Sequence, residues 1–142
     1  MVRDANSRIA ATGIPWVVLL GGRGRSQIVD ALLGDGIQVG LVLVPESSQL
    51  RLGEEIVRLR GLGLVIRVVT RGELGSVLAD RSHCGLLSVG YPYLIPAEIF
   101  GNHPFALNVH PTLLPKYRGP SSGAHVIRNN ESCAGSSVHL LS

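Results

Sequence analysis

The stretch WVVLLGGRGRS, Trp16 to Ser26, decides the fold class of this chain. Its first five residues are apolar without interruption, and they are bounded by Pro15 and Gly21. A short apolar run of this kind is typical of a central parallel strand that is buried on both faces. A helix is predicted next, over 27–33, and it ends at Gly34. The residues predicted to face inward are Ile28, Ala31 and Leu32.

The same alternation of strand and helix continues along the chain. Further strands are predicted over 39–44, 64–69, 84–89, 105–109 and 137–141. Further helices are predicted over 52–59, 72–79, 96–100 and 121–129. Their predicted inward positions are Ile56, Leu59, Ala124, Val126 and Ile127. The alternation indicates an α/β fold with a mostly parallel sheet and helices on both faces, in which ligands bind at the carboxyl ends of the strands.

Length and composition indicate one domain. The chain has 142 residues, of which 45% are hydrophobic and 16% are charged, a balance that supports a compact buried core. We expect a flexible lead over residues 1–14 and the domain over 15–142. No apolar run reaches the roughly 18 residues that would span a bilayer. No secretory signal is visible at the start of the sequence, so we expect a cytoplasmic protein.

The net charge and the residue composition limit the kinds of molecule that the chain is expected to bind. The net charge of +3 is small and the basic residues are scattered, while aromatic residues make up only 4%. Both observations argue against a nucleic-acid-binding module, although they leave tRNA open. Cys84 and Cys133 are far apart in the sequence and predict reduced thiols. Histidine and cysteine spacings typical of metal sites are absent from the sequence, which argues against a metal.

The role of the glycine-rich loop after the first predicted strand has two possible interpretations. Glycines allow an anion to approach the backbone, and Arg23 and Arg25 would add charge-assisted hydrogen bonds. The dinucleotide-binding pattern is incomplete, because Gln27 stands where its third glycine belongs. No Gly-Lys-Ser/Thr follows that would make a Walker loop. The loop therefore contacts an anionic substrate, or it is a plain turn between strand and helix.

Asn108 and His110 end the fifth predicted strand, ahead of a loop with Pro111, Pro115 and Pro120. Residues two apart in a strand point to the same side. An asparagine amide can donate to a developing oxyanion, and a histidine can carry a proton at neutral pH. The pair suits nucleophilic addition to a carbonyl. The alternative is a hydrogen-bonded strand end without chemistry.

The loop after the fourth predicted strand, Ser88 to Pro96, is unusually apolar. Gly90 and Pro92 shape its turn. An apolar loop at the carboxyl end of a strand can line a pocket for a flat ring, whose edge the backbone reads. The alternative is that the loop packs onto the core.

The run Asn108-Val-His110-Pro-Thr-Leu-Leu-Pro115-Lys-Tyr-Arg118-Gly119 resembles the signature of the folate-dependent formyltransferases. Gly135-Ser-Ser-Val-His139 is similar to a further strand of that family, and 91–96 is similar to its folate-site loop. The resemblance covers about 15–142. It implies a Rossmann-like fold, as in the N-terminal domain of the glycinamide ribonucleotide, methionyl-tRNA and sugar-amine formyltransferases.

The resemblance implies transfer of a formyl group from 10-formyltetrahydrofolate to an amine, without a metal. Asn108 and His110 would stabilise the oxyanion, and His110 would also manage the proton lost by the amine. The implied folate-site residues are Gly90, Tyr91, Tyr93 and Leu94. The implied acceptor-site residues are Gly22, Gly24, Ser26 and Arg118, of which the glycine loop would bind a phosphate as in the purine-pathway enzymes.

One part of the family pattern is not matched. The family pairs its histidine with an aspartate, which would fall just beyond Ser142, and Glu131 is not expected to replace it. We therefore expect a C-terminally incomplete domain. The alternatives are a catalytically impaired folate- or nucleotide-binding pseudoenzyme and a subunit completed by another chain. An open sheet edge would also favour a homo-oligomer.

Overall fold

The computed structural model of the chain describes residues 13–142. The flexible lead predicted over 1–14 lies almost wholly outside the described residues, so it stays a prediction. Within the described residues, no helix has the length and apolar character needed to cross a membrane.

Over residues 13–142, six strands and five α-helices alternate, and every boundary lies within two residues of its prediction. The strands are β1 (Trp16–Leu20), β2 (Val39–Pro45), β3 (Ile66–Val69), β4 (Gly85–Val89), β5 (Ala106–His110) and β6 (Ser137–Leu140). The helices are α1 (Gln27–Gly34), α2 (Gly53–Gly61), α3 (Leu74–Ala79), α4 (Ala97–Phe100) and α5 (Ser122–Arg128). A single 3-10 turn, Glu46–Ser48, follows β2.

The six strands form one sheet in the order β3-β2-β1-β4-β5-β6. All neighbouring strands are parallel except β5 and β6, which are antiparallel. The predicted mostly parallel, Rossmann-like α/β fold is confirmed. The parallel strands β1, β4 and β5 are adjacent, so the three loops that carry the predicted site residues leave the same edge of the sheet.

The core lies on both faces of the sheet, because β1 is buried along its whole length. Trp16, Val18 and Leu20 face one side and pack with residues of α1 and α2. Val17 and Leu19 face the other side and pack with residues of α3 and α4. The helices therefore cover both faces, as the continuous apolar run of β1 predicts.

Two predicted helix faces are wrong in detail. In α1 the buried residue is Val29, while Ala31 is exposed. The stripe that contacts the sheet is thus centred on Val29, and it leaves Ala31 at the solvent side. In α5 the buried residue is Ser122, and Ile127 is 81% exposed.

The position of the buried face of α5 accounts for the second error. Ser122 is buried and Val126 is half-buried, and these positions share one face of a helix through their i, i+4 spacing. Ala124 and Ile127 are both exposed. The helix therefore packs through Ser122 and Val126, while Ala124 and Ile127 face solvent.

The loops after β1 and β4 touch through two glycines. The Gly21 N–H donates to the Val89 carbonyl at 3.1 Å. A Cβ on Gly21 would lie 2.0 Å from the carbonyl oxygen of Gly90, which is backbone and cannot turn aside. Only glycine at position 21 allows these two loops to meet at the edge of the sheet.

We predict that Gly21→Ala lowers the free energy of unfolding by about 3 kcal/mol, because the added methyl group forces the β1 and β4 loops apart. Urea unfolding followed by circular dichroism measures the change. The matched control is Gly34→Ala, at a helical glycine with open space around it. That control should leave stability unchanged or raise it by up to about 1 kcal/mol. Equal effects of the two substitutions would contradict the prediction.

Candidate active site

Asn108 and His110 lie on the same face of β5, as predicted. Leu107 and Val109 alternate with them and pack against the core beneath α1 and α2. The two polar side chains therefore face the opposite side of the sheet, and both are half-buried. A half-buried position keeps each side chain within reach of a ligand while the strand limits its movement.

Asn108 is paired across the sheet with His139 of β6. The Asn108 Nδ2 lies 3.1 Å from the His139 Nε2. The His139 Nδ1 lies 2.8 Å from the Leu140 carbonyl oxygen, which can only accept. Nδ1 therefore carries the proton in neutral His139, and Nε2 accepts from the Asn108 amide. The amide group has two N–H bonds, so one N–H of Asn108 is left for another acceptor.

His110 has the opposite tautomer. Its Nε2 lies 2.8 Å from the backbone carbonyl oxygen of Tyr117. Because that oxygen only accepts, Nε2 carries the proton and the Nδ1 of neutral His110 keeps its lone pair. The hydroxyl of Thr112 donates to the same carbonyl at 3.2 Å, which fixes the carbonyl in place. His110 can therefore accept a proton at Nδ1.

Tyr117 is itself held by its side chain. Its backbone has a positive φ of 53°, which is uncommon outside glycine. Its hydroxyl donates to the Glu131 carboxylate at 2.5 Å and accepts from the Asn129 amide at 2.8 Å. The hydrogen bond from Tyr117, followed by that from Lys116, lowers the pKa of Glu131. Glu131 thus anchors the loop through Tyr117, and its hydrogen bonds are with the loop rather than with His110.

The proline-containing loop is also tied to β6. The Ser137 hydroxyl donates to the Thr112 carbonyl at 2.8 Å and accepts from the Leu114 N–H at 2.9 Å. Ser137 pairs directly with His110 in the sheet. The loop therefore returns to the strand beside His110, which limits movement of the imidazole.

The loop after β4 shows both of the arrangements considered for it: part of it packs onto the core, and part of it presents an apolar side chain to solvent. Tyr91 and Ile95 pack against the core, and burial, followed by the nearby Tyr93, raises the pKa of Tyr91. Leu94 is 87% exposed. The Tyr93 hydroxyl donates to the Ser47 hydroxyl at 2.9 Å. The loop is thus fixed by two tyrosines and still presents an apolar side chain to solvent.

The glycine loop after β1 makes its contacts with α2. The Gly24 N–H donates to the Glu55 carboxylate at 2.7 Å, and the Ser26 hydroxyl donates to the same oxygen at 3.3 Å. Arg25 extends the other way, across Gly22 and Gly90, where a Cβ on either glycine would overlap its side chain. Arg25 therefore bridges the loops after β1 and β4.

A cavity of about 350 Å³ lies at the carboxyl ends of β1, β4 and β5. It is lined by Gly24, Arg25, Gln27, Ile28, Val89, Val109, Pro111 and Ser136. Its volume suits a small ligand. Of the predicted acceptor residues, Gly24 lines it, whereas Gly22, Ser26 and Arg118 do not. Val109 and Pro111 flank His110 in the chain, so the cavity lies next to the strand that carries the predicted catalytic pair.

The sequence predicted correctly that Asn108 and His110 share one face, but it did not predict the contact of His139 with Asn108. Its contact with Asn108 depends on the antiparallel register of β5 and β6. The only indication in the sequence that His139 belongs to the site was the Val-His pair in the motif that ends at His139. The contact from Glu55 to Gly24 had no signal, because the two residues are 31 positions apart.

Known proteins resemble both the sequence and the fold. The formyl transferase family model matches residues 77–142. GDP-perosamine N-formyltransferase of Brucella melitensis is 30% identical over 117 residues, which are 80% of this chain and 45% of that protein. The chain thus spans about half the length of that relative.

Two solved structures share the fold. Glycinamide ribonucleotide transformylase 1 of Symbiobacterium toebii superposes with a TM-score of 0.73 at 21% identity, over 91% of this chain and 66% of that chain. A formyltetrahydrofolate deformylase of Pseudomonas syringae gives a TM-score of 0.70 at 14% identity, over 99% of this chain and 54% of that chain. The family match falls on residues 77–142, the part of the chain that holds Asn108, His110 and His139, and the sequence and fold matches together indicate a formyl transferase N-terminal domain.

Proposed function

We propose that this chain transfers a formyl group from 10-formyltetrahydrofolate to an amine acceptor. The observation that carries the proposal is the geometry of β5, where a spare Asn108 N–H and the basic Nδ1 of His110 share one face. Relatives support it by their names, which include an N-formyltransferase and a formyltetrahydrofolate deformylase. Fold alone would not support a reaction, whereas these side chains match its chemistry.

In the proposed reaction the amine nitrogen attacks the formyl carbon, and the carbonyl oxygen gains negative charge. The spare N–H of Asn108 donates to that oxygen, while its other N–H stays on His139. His110 Nδ1 takes the proton that the attacking nitrogen loses. The bond between the formyl carbon and the folate nitrogen then breaks, and His110 returns its proton to that nitrogen. The products are a formamide and tetrahydrofolate.

The donor would occupy the loop after β4, and the acceptor would occupy the cavity at the carboxyl ends of the strands. Gly90, Tyr91, Tyr93 and Leu94 are the proposed pterin site, supported by the apolar surface that the β4 loop keeps exposed. The cavity beside Val109 and Pro111 is the proposed acceptor site. Within it, Arg25 supplies positive charge at the junction of two loops. Gly22, Ser26 and Arg118 stay predicted acceptor residues, and a cytoplasmic location stays a prediction.

A folate-binding module without catalysis is the second candidate. One observation favours it: His110 is hydrogen-bonded to a backbone carbonyl, which orients the imidazole but carries no charge to stabilise an imidazolium. Charge compensation by a carboxylate partner is worth orders of magnitude in rate in other histidine-dependent enzymes. Turnover and folate binding must therefore be measured separately.

We predict that Asn108→Ala lowers kcat for formyl transfer by about 10²-fold or more, because one donor to the oxyanion is lost. His110→Ala should lower kcat by about 10²-fold, because the proton has no acceptor. Initial rates with 10-formyltetrahydrofolate and a panel of sugar, nucleotide and tRNA-linked amines measure both. The control is His83→Ala, at an exposed histidine before β4.

Activity that survives Asn108→Ala unchanged would contradict the catalytic assignment. Calorimetric binding of a folate analogue with no turnover of any amine would favour the binding module. Neither turnover nor folate binding would remove both candidates.

We predict that Glu131 makes stability depend on pH. Its pKa is lower in the folded chain than its ordinary value of 4.5, because Tyr117 and Lys116 hydrogen-bond to the carboxylate. Between the folded value and the ordinary value, the unfolded chain binds more protons than the folded chain. The stabilisation is therefore complete above the ordinary value, and it is lost as pH falls through the folded value.

Melting temperatures of the chain and of Glu131→Gln, measured from about pH 3 to pH 7, test this linkage. The melting temperature of the variant should fall less steeply below the ordinary carboxylate pKa. Glu98→Gln, at an exposed glutamate on α4, serves as the control and should follow the unsubstituted chain. Parallel curves for the chain and Glu131→Gln would show that the Tyr117 contact contributes no pH-dependent stability.

A further inference from the structure

The carboxylate of Glu55 fills the position where the glycine loop would hold an anion. Glu55 lies in the first turn of α2. One of its oxygens accepts from both the Gly24 N–H, at 2.7 Å, and the Ser26 hydroxyl, at 3.3 Å. A backbone N–H and a hydroxyl converging on one oxygen form the arrangement by which loops of this kind bind a phosphate oxygen. Here the oxygen belongs to the protein.

Contacts on both sides hold Glu55 in this position. The Arg58 guanidinium donates to the Ser26 hydroxyl at 3.1 Å and to the Asp30 carboxylate at 2.8 Å, so α2 is joined to α1. The Arg51 guanidinium donates to the Gly21 carbonyl at 3.1 Å, so the residue that precedes α2 by two positions is joined to the start of the loop. Glu55 is thus placed by a helix that is anchored at both ends.

The second carboxylate oxygen of Glu55 shows that the side chain is enclosed. It is buried, and no described residue donates to it. An exposed, mobile glutamate would turn this oxygen toward water, because a buried carboxylate oxygen without a donor is unfavourable. The Gly24 and Ser26 donors hold the side chain in place against that cost, so Glu55 belongs to the architecture of the loop.

We propose that Glu55 is a specificity-determining residue that excludes phosphate from the glycine loop, so that the acceptor presents an unphosphorylated group there. A phosphate would need the Gly24 N–H and the Ser26 hydroxyl that Glu55 already engages, and its charge would repel the carboxylate. The assignment deepens the proposed function, on which it rests. Under this proposal Gly24 and Ser26 would lie at the acceptor site without binding a phosphate, which differs from the expectation for the glycine loop.

Removal of the Glu55 carboxylate should create an anion site. In Glu55→Ala the Gly24 N–H and the Ser26 hydroxyl would lose their acceptor, and the Arg58 guanidinium lies beside them. A neutral donor pair next to a guanidinium is a favourable site for phosphate. The same change of charge one residue earlier, Glu54→Ala, leaves the loop untouched, because Glu54 is exposed.

The test is a titration of the whole chain with inorganic phosphate, with no folate and no amine present. Calorimetry gives the affinity, and the Gly24 amide signal in ¹H–¹⁵N spectra reports on the loop. We expect no saturable shift of the Gly24 signal in the unsubstituted chain and in Glu54→Ala. We expect a saturable shift in Glu55→Ala, with affinity higher by about tenfold or more. In Glu55→Gln the amide oxygen still fills the position, so binding should stay below that of Glu55→Ala.

A saturable phosphate shift of Gly24 in the unsubstituted chain would overturn the proposal, and this measurement does not depend on any variant that might fail to fold. Folded Glu55→Ala that binds phosphate no better than Glu54→Ala would overturn it as well. Because the titration contains no formyl donor, its outcome is independent of catalysis. A failure to detect formyl transfer would contradict the proposed function, but the phosphate titration could still be interpreted.

Discussion

Burial of β1 on both faces is the constraint on which the rest of the structure depends. Five consecutive apolar residues cannot leave one face in water, so helices must cover the sheet on each side. Parallel neighbours satisfy this requirement, because each return connection places a helix on a face. The arrangement also fixes the site. Once β4 and β5 lie beside β1 in parallel, their carboxyl ends and loops meet at one edge, where only a glycine at position 21 permits the contact with Gly90.

The strands and helices were predictable because each follows from local pattern, namely apolar runs, proline and glycine boundaries, and helical spacing. The inward faces of α1 and α5 were less predictable, because they depend on how each helix lies on the sheet. Ala31 and Ile127 are apolar at suitable spacing, and both are exposed. Hydrophobic spacing gives a stripe, whereas the packing partner decides which edge of the stripe is buried.

The site was predictable only where it is local. Asn108 and His110 share a face because they are two positions apart in one strand, which any strand would produce. The hydrogen-bond partners of Asn108 and Gly24 lie in other, distant parts of the sequence. His139 reaches Asn108 through the register of an antiparallel pair, and Glu55 reaches Gly24 from a different helix. Such contacts depend on tertiary placement, for which a single sequence contains no periodic signal.

Backbone carbonyls give the two histidines of the site opposite protonation patterns. The Leu140 carbonyl holds the proton of His139 on Nδ1, and the Tyr117 carbonyl holds the proton of His110 on Nε2. The Nε2 lone pair of His139 therefore accepts a hydrogen bond from Asn108, whereas the Nδ1 lone pair of His110 has no hydrogen-bond partner among the described residues. One imidazole fixes a donor and the other is left to accept a proton.

Backbone partners also limit how this site can work. A carbonyl orients an imidazole as firmly as a carboxylate does, but it offers a dipole where a carboxylate offers a full charge. In the proposed reaction, proton acceptance by His110 would therefore be well oriented, and the positive charge formed on the imidazole would be weakly compensated. At the glycine loop the reverse holds, because the carboxylate of Glu55, which carries a full charge, accepts from the Gly24 N–H. Two carboxylates, those of Glu131 and Glu55, thus shape the loops to which they are hydrogen-bonded.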